Sequence, residues 1–356
     1  MSSSQAFRIA LTGCGRISKN HFEAIAKVDG LSVSAVCDVV ESRAKEAGEK
    51  LGVPWFTSHE TMLREAPFEI ATIATPSGLH PAHGILAAKA GKHVVCEKPM
   101  AITLASADAL VNACDDAGVR LFVVKQNRLN PPVQLLKRAM DKGRFGKIYL
   151  ANTTVRWTRP QEYYDQAPWR GTWEFDGGAF MNQASHYVDL MQWLVGPVES
   201  VIAKTATLAR KIEAEDTGIA VLRFRSGALG TIEVTMLTYP KNLEGSITIL
   251  GEKGTVKIGG TAVNKVEKWE FAEPDPDDAL VDASNTNPTS VYGSGHEGYY
   301  KNVLGVLRGE AIPDTDGRGG HQARTARSIE RRSSLRTSVN TGSGVSLVRN
   351  MPCALA

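Results

Sequence analysis

The chain has 356 residues, 42% hydrophobic and 22% charged, the ordinary balance of a globular protein and enough length for two domains with large cores. Its formal net charge of +3 is unevenly spread: residues 318–356 hold seven Arg and one Glu, which leaves −3 for the rest. No set of basic residues interleaved with aromatics suggests nucleic acid, no apolar run is long enough to span a bilayer, and residues 1–5 lack the parts of a secretory leader, so a cytoplasmic protein is expected.

The first predicted strand, 7–12, runs into Gly13-Cys14-Gly15-Arg16-Ile17-Ser18 and then a helical stretch to Val28. This is a GxGxxS form of the dinucleotide fingerprint, with a strand before it and a helix after it. Gly13 permits the tight turn, and Gly15 lets the backbone approach a pyrophosphate at the helix N-terminus. Ser18 is small enough for close helix–strand packing. A second strand, 31–37, ends at Asp38, 20 residues after Ser18. A carboxylate there accepts from ribose hydroxyls and repels a 2′-phosphate, so NAD is expected over NADP. The plainer role for Asp38 is a cap on the next helix.

Helices and strands then alternate: helix 41–51, strand 53–56, helix 59–65, strand 69–75, helix 81–90, strand 93–97, helix 103–118 and strand 120–125. Such alternation predicts a parallel, doubly wound Rossmann sheet over residues 1–126. The fifth strand ends at Glu97-Lys98-Pro99. Ligands of open α/β sheets bind outside the carboxyl ends of the strands, and Pro99 pins its own φ, which fixes the direction of Lys98. Thr75-Pro76-Ser77-Gly78-Leu79-His80 follows the fourth strand and is expected to line the nicotinamide side. His80 and His83 have metal-ligand spacing without a third ligand, so no metal is expected, and His83 is read as a helix-surface residue. The five cysteines form no CxxC pair and read as reduced thiols.

After a helix over 133–142 the pattern changes. Strands are predicted at 147–158, 201–208, 219–225, 229–237, 246–250 and 255–258, with hairpin turns at Ser226-Gly227 and Glu252-Lys253-Gly254. This predicts an open, mostly antiparallel sheet in an α+β domain, 127–317. One long helix, 178–194, interrupts it. On a single helix Asn182, His186 and Asp189 share a face. The loop before it, with Trp157, Arg159, Gln161, Tyr163, Tyr164, Trp169 and Arg170, has the composition of a binding loop, and its arginines suit carboxylate or phosphate.

Taken together, Gly13-x-Gly15, Thr75-Pro76…His80, Glu97-Lys98-Pro99 and Gly177-Gly178…His186-x-x-Asp189 resemble the Gfo/Idh/MocA oxidoreductase family over residues 7 to about 317. A narrower resemblance, carried by residues 158–164, 169–186 and 238–245, is to its UDP-N-acetylglucosaminuronate 3-dehydrogenase branch. The resemblance implies NAD as cofactor, held by Gly13, Cys14, Gly15, Arg16, Ile17 and Asp38. Thr75, Pro76, Leu79 and His80, Glu97 and Lys98, and Gln126, Trp169 and Arg170 complete that set. It implies Lys98 and His186 as catalytic residues, with Arg159, Gln161, Tyr163, Asn182 and Tyr239 joining them around a UDP-sugar.

The implied reaction is oxidation of the sugar's C3 hydroxyl in lipopolysaccharide sugar synthesis, with 2-oxoglutarate recycling NADH in some members and a homotetramer formed through the open sheet. His186 is the first choice of base, and Lys98 orients O3 or takes the proton itself. The family often has Asp four residues before the His. Asn182 stands there and cannot take a proton. Two other readings are a dehydrogenase of a free sugar or inositol and a non-catalytic NAD-binding regulator. The family continues after a Thr-Asp-Gly-Arg segment with an apolar-striped helix. Residues 319–356 have no such stripe and read as altered or frame-shifted sequence, poorly ordered.

Overall fold

The structure is a computed structural model that describes residues 6–286 and 295–317. The basic tail and its expected disorder lie outside those residues. Two compact units are present, one made of residues up to Lys125 together with those from Gly295, the other starting at Gln126.

In the first unit, β1 (Phe7–Thr12), β2 (Leu31–Cys37), β3 (Trp55–Phe56), β4 (Ile70–Ile73), β5 (His93–Cys96) and β6 (Leu121–Val123) form one parallel sheet in the order β3-β2-β1-β4-β5-β6. The order reverses at β1, so the crevice between the ends of β1 and β4 is the topological switch point where ligands bind. The connecting helices are α1 (Ser18–Ile25), α2 (Glu41–Leu51), α3 (His59–Glu65), α4 (His80–Lys89) and α5 (Leu104–Asp116). The strands β4 and β5 are almost wholly apolar because helices cover both faces of a parallel sheet. Thr103 caps α5 in a reciprocal box with Ser106.

The second unit opens with α6 (Pro131–Asp141), whose two prolines occupy the first turn, where their missing N–H groups cost nothing. Its seven-stranded sheet comprises β7 (Ile148–Arg156), β8 (Val198–Ala206), β9 (Thr217–Phe224), β10 (Leu229–Thr235), β11 (Glu244–Gly251), β12 (Gly254–Gly259) and β13 (Lys265–Phe271). The order is β13-β12-β11-β7-β10-β9-β8, antiparallel except for the central β7–β10 pair. The short α7 (Gln161–Asp165) and the longer α8 (Ser185–Val195) follow β7. Tyr187, Val188, Leu190 and Met191 of α8 pack into the core with Val155, Ile232, Ile247 and Phe224 of the sheet. On β8, β9 and β10 the other face leaves Ile202, Ile219, Val221 and Leu229 exposed. The edge strand β13 is absent from the sequence reading, since Lys-Val-Glu-Lys-Trp-Glu-Phe buries no residue fully and lacks an apolar run.

After the short α9 (Val281–Ser284), α10 (His296–Leu307) belongs to the first unit. Tyr299, Tyr300 and Val303 are buried there, Thr315 Oγ1 donates to Val123 O at 2.7 Å, and Gly317 N donates to Leu121 O at 3.1 Å. The first domain is therefore discontinuous, whereas the sequence boundaries place residues up to 317 in the second. Strand–helix alternation stops at residue 125 and carries no sign that the chain returns. No helix among the described residues is long and apolar enough to cross a membrane.

Candidate active site

Each unit gathers one set of the expected residues. In the first, Gly13 leaves β1 with φ +101, and a Cβ on it would lie 2.4 Å from Ala74 O. Gly15 is the opposite case: a Cβ there would meet nothing within 4 Å, and Ser18 donates back to Gly15 O at 2.7 Å. Open space over a glycine at a helix start suits a pyrophosphate. Asp38 is buried; its two oxygens accept from Cys14 N and Val40 N, each at 2.9 Å. Each oxygen keeps a lone pair for a ribose hydroxyl. This carboxylate holds the Gly loop through Cys14 N. The Cys14 thiol is pushed up to about 12 by burial, with Asp38 and Cys37 adding to it, so it is not a nucleophile. The donor set fits NAD.

Glu97 and Lys98 leave β5 through a corner with a cis Lys98–Pro99 bond. Lys98 is half-buried and Glu97 fully buried. One oxygen of Glu97 accepts Lys98 N at 3.0 Å, and the other lies 3.0 Å from His21 Nε2 of α1. His21 Nδ1 meets the Tyr300 hydroxyl at 2.8 Å, and His296 Nε2 is 4.0 Å from Glu97. Burial opposes ionisation of Glu97, but the His21 hydrogen bond and the neighbouring His21, His296 and Lys98 outweigh it and bring its carboxyl to about 2. His296 is lowered to about 4, chiefly by burial. This knot ties α1, β5 and α10 together behind Lys98. No local pattern marks it, because His21 and His296 lie 275 residues apart.

The Thr75–His80 segment turns from β4 into α4. Leu79 is half-buried and Pro76 has φ −53. His80 is 1% exposed, with Nδ1 2.8 Å from Pro99 O and Nε2 2.8 Å from Thr75 O. His83 is not a simple surface residue: its Nδ1 is 3.2 Å from Thr75 Oγ1, its ring packs 4.9 Å from His59, and burial lowers it to about 4.

In the second unit the predicted single helix is broken. Ala179–Gln183 form a π-turn, Ala184 is a break, and α8 begins at Ser185. Gly177 and Gly178, with φ +85 and +83, and Glu215 hold the start of the segment. A Cβ on Gly178 would fall 2.1 Å from the Glu215 carboxylate, which accepts Phe180 N at 2.9 Å while Glu215 O accepts Ala179 N. A π-turn changes the angular spacing, so Asn182, His186 and Asp189 do not lie on one straight stripe. Asn182 donates to the buried Asp176. Asp189 accepts two hydrogen bonds of 2.7 Å from Arg128. His186 is buried in the first turn of α8.

Gln183, unassigned in the sequence, is the hub of the binding loop. Its Oε1 accepts Arg159 Nε at 3.0 Å and its Nε2 donates to Tyr163 OH at 3.1 Å. Arg159 also stacks near Trp157 and Tyr163, and Arg170 lies 4.2 Å over Tyr163 and 5.0 Å over Trp169. Gln161 starts α7 and bridges Asp165 and Lys211 N. Gln126 is buried with its Oε1 unpartnered among the described residues, and so are both amide atoms of the neighbouring Asn127. Such groups call for a polar ligand or water. Tyr239 stands outside this cluster, 92% exposed beyond β10.

Residues 7–125 match the model of an oxidoreductase family with an NAD-binding Rossmann fold, and residues 133–257 match the GFO/IDH/MocA C-terminal domain. Myo-inositol 2-dehydrogenase of Thermotoga maritima is 31% identical over 70% of this chain and 74% of its own length. This chain belongs to the GFO/IDH/MocA oxidoreductase family. It is an NAD-dependent dehydrogenase of the sugar and polyol group. The WlbA dehydrogenase of Bordetella pertussis, solved with NADH and UDP-GlcNAcA, is 55% identical, covers 96% of this chain and 100% of its own, and superposes with a TM-score of 0.88. WlbA of Chromobacterium violaceum, solved with the same two ligands, is 52% identical with a TM-score of 0.87 over 96% and 98%.

Proposed function

We propose that this dehydrogenase oxidises the C3 hydroxyl of UDP-2-acetamido-2-deoxy-glucuronate to the 3-keto sugar, as a cytoplasmic step of lipopolysaccharide O-antigen sugar synthesis. The observation that carries the reading is the 55% identity, over nearly the whole chain, to an enzyme solved with NADH and UDP-GlcNAcA. The Arg159–Gln183–Tyr163 cluster and the stacked Arg170 supply a cationic, aromatic surface of the kind a nucleotide sugar requires.

NAD, held by Gly13, Cys14, Gly15, Arg16, Ile17 and Asp38, supplies the hydride acceptor. Lys98 orients O3 and stabilises alkoxide character, while His186 takes the hydroxyl proton, since imidazole titrates near neutrality. Thr75, Pro76 and Leu79 line the nicotinamide side, with Gln126, Trp169 and Arg170 completing the cofactor set. Arg159, Gln161, Tyr163 and Tyr239 hold the UDP-sugar, and Asn182 orients without exchanging a proton. NADH is recycled in place by 2-oxoglutarate, and copies associate through the exposed face of the seven-stranded sheet into a homotetramer.

Similarity to an inositol dehydrogenase supports a second reading, oxidation of a free polyol, which needs no UDP affinity. Purified protein with NAD⁺, UDP-N-acetylglucosaminuronate and 2-oxoglutarate is expected to yield 2-hydroxyglutarate by mass spectrometry. Turnover of myo-inositol with no binding of UDP would overturn the first reading in favour of the second.

A further inference from the structure

His80 is the first residue of α4 and is buried. Both of its ring nitrogens face backbone carbonyls at 2.8 Å, Nδ1 that of Pro99 and Nε2 that of Thr75. A carbonyl oxygen only accepts. A neutral imidazole has one N–H and one bare lone pair, so it satisfies one carbonyl and turns a lone pair on the other. Turning the ring over places carbons where the nitrogens stand and loses both bonds. An imidazolium donates to both.

We infer that His80 is held as an imidazolium brace between the loop after β4 and the Lys98–Pro99 corner, which makes it a positioning residue for Lys98. The inference rests on the proposed role of Lys98 at the substrate.

The charged groups around the ring pull in both directions. Burial is the largest influence and lowers its pKa, and Lys98 acts the same way. His83, one turn along α4, and the start of the helix also disfavour a cation. The Pro99 and Thr75 carbonyls and the Glu97 carboxylate favour it. The net direction for a desolvated ring is downward. The two carbonyl dipoles and the buried Glu97 carboxylate oppose it, standing in for the water that burial removes. Loss of the proton would not simply leave a neutral ring in place. It would free one of the two loops, and Pro99 O is directly joined to the residue that follows Lys98.

The test is histidine-selective ¹⁵N NMR on the full chain, with His80→Asn and His80→Gln used to assign the signal. The expected result at pH 8 is that both ring nitrogens of His80 carry a proton. One protonated and one bare nitrogen would overturn the inference. Should both variants fail to fold, neutron diffraction of the wild-type protein reads the same two protons without a substitution. In kinetics, His80→Gln is expected to lower kcat by roughly 10²-fold through misplacement of Lys98, with NADH affinity by fluorescence within about threefold of wild type. Lost NADH affinity with unchanged kcat would overturn the positioning role and make His80 a cofactor ligand. The NMR result is read without substrate, so it stands or falls apart from the identity of the sugar.

Discussion

Arg128 grips Asp189 with two parallel hydrogen bonds of 2.7 Å, both side chains nearly buried, and its guanidinium lies 5.1 Å from the Trp193 ring. The pair ties the turn that follows Gln126 to the middle of α8, three residues after His186. Asp189 therefore serves as an anchor for the helix that presents His186.

Removing one partner of a buried ion pair leaves the other charge stranded, at a cost of about 3 kcal/mol. Asp189→Asn is expected to lower the unfolding free energy by roughly that amount in urea titration. A change below about 0.5 kcal/mol, the range of exposed pairs, would show that the bidentate geometry does not persist in solution.

The two loop glycines should behave differently. Gly13→Ala forces a Cβ to within 2.4 Å of a backbone oxygen at φ +101, so we expect a loss of about 2 kcal/mol or more in stability. Gly15→Ala meets open space, so its melting temperature should stay near wild type. NADH affinity, read by fluorescence titration, should nonetheless fall about tenfold, because the methyl occupies the phosphate approach. Equal destabilisation by both substitutions would contradict this division.

Lys98→Ala should reduce turnover by about 10²- to 10⁴-fold, the usual worth of a positioned proton-transfer or charge-stabilising group. NADH should still bind, since the pyrophosphate and ribose contacts expected at the Gly loop and Asp38 remain. Retained turnover with this variant would move the chemistry away from the Glu-Lys-Pro corner.

Glu215 gives a pH signature of definite sign. Burial raises its carboxyl from 4.5 to about 7, with the nearby Asp176 adding to the shift and backbone N–H groups opposing it. The folded chain then binds a proton that the unfolded chain releases, so this contribution is complete below about pH 4.5 and is lost as pH rises through 7. Glu215→Gln keeps an acceptor for Phe180 N and does not ionise. The stability gap between wild type and variant should therefore open by up to about 3 kcal/mol between pH 5 and 8, wild type falling. Parallel curves from chemical denaturation at each pH would show that Glu215 is ionised throughout.

The exposed apolar row on β8 and β9 leads to a fifth expectation. For the proposed tetramer, Ile202→Glu with Val221→Glu is expected to shift the light-scattering mass to a smaller species. Charge is costly to bury in an apolar interface, whereas the inner face of the sheet and its core are untouched. An unchanged mass would overturn the proposal that copies associate through this face.

The sequence by itself determined the parts that depend on local pattern. Strand–helix alternation up to residue 125 dictated the parallel sheet, and Gly13, Gly15 and Asp38 marked its cofactor end, because backbone approach and ribose recognition require those residue types at fixed spacing. Period-two alternation likewise announced most of the second sheet. Tertiary structure alone decided what depends on residues distant in the chain. One expected helix is instead a π-turn followed by a helix, its start held by Glu215 and the paired glycines, and Asn182 falls out of line with Asp189. His21, His296 and Tyr300 meet behind Glu97 only because α10 returns to the first unit. His80 looked like a ligand residue from its motif, but the fold commits both its nitrogens to carbonyls. A helical period records which face of one element is apolar; it carries no record of which carboxylate, from another strand, will meet that element's first turn.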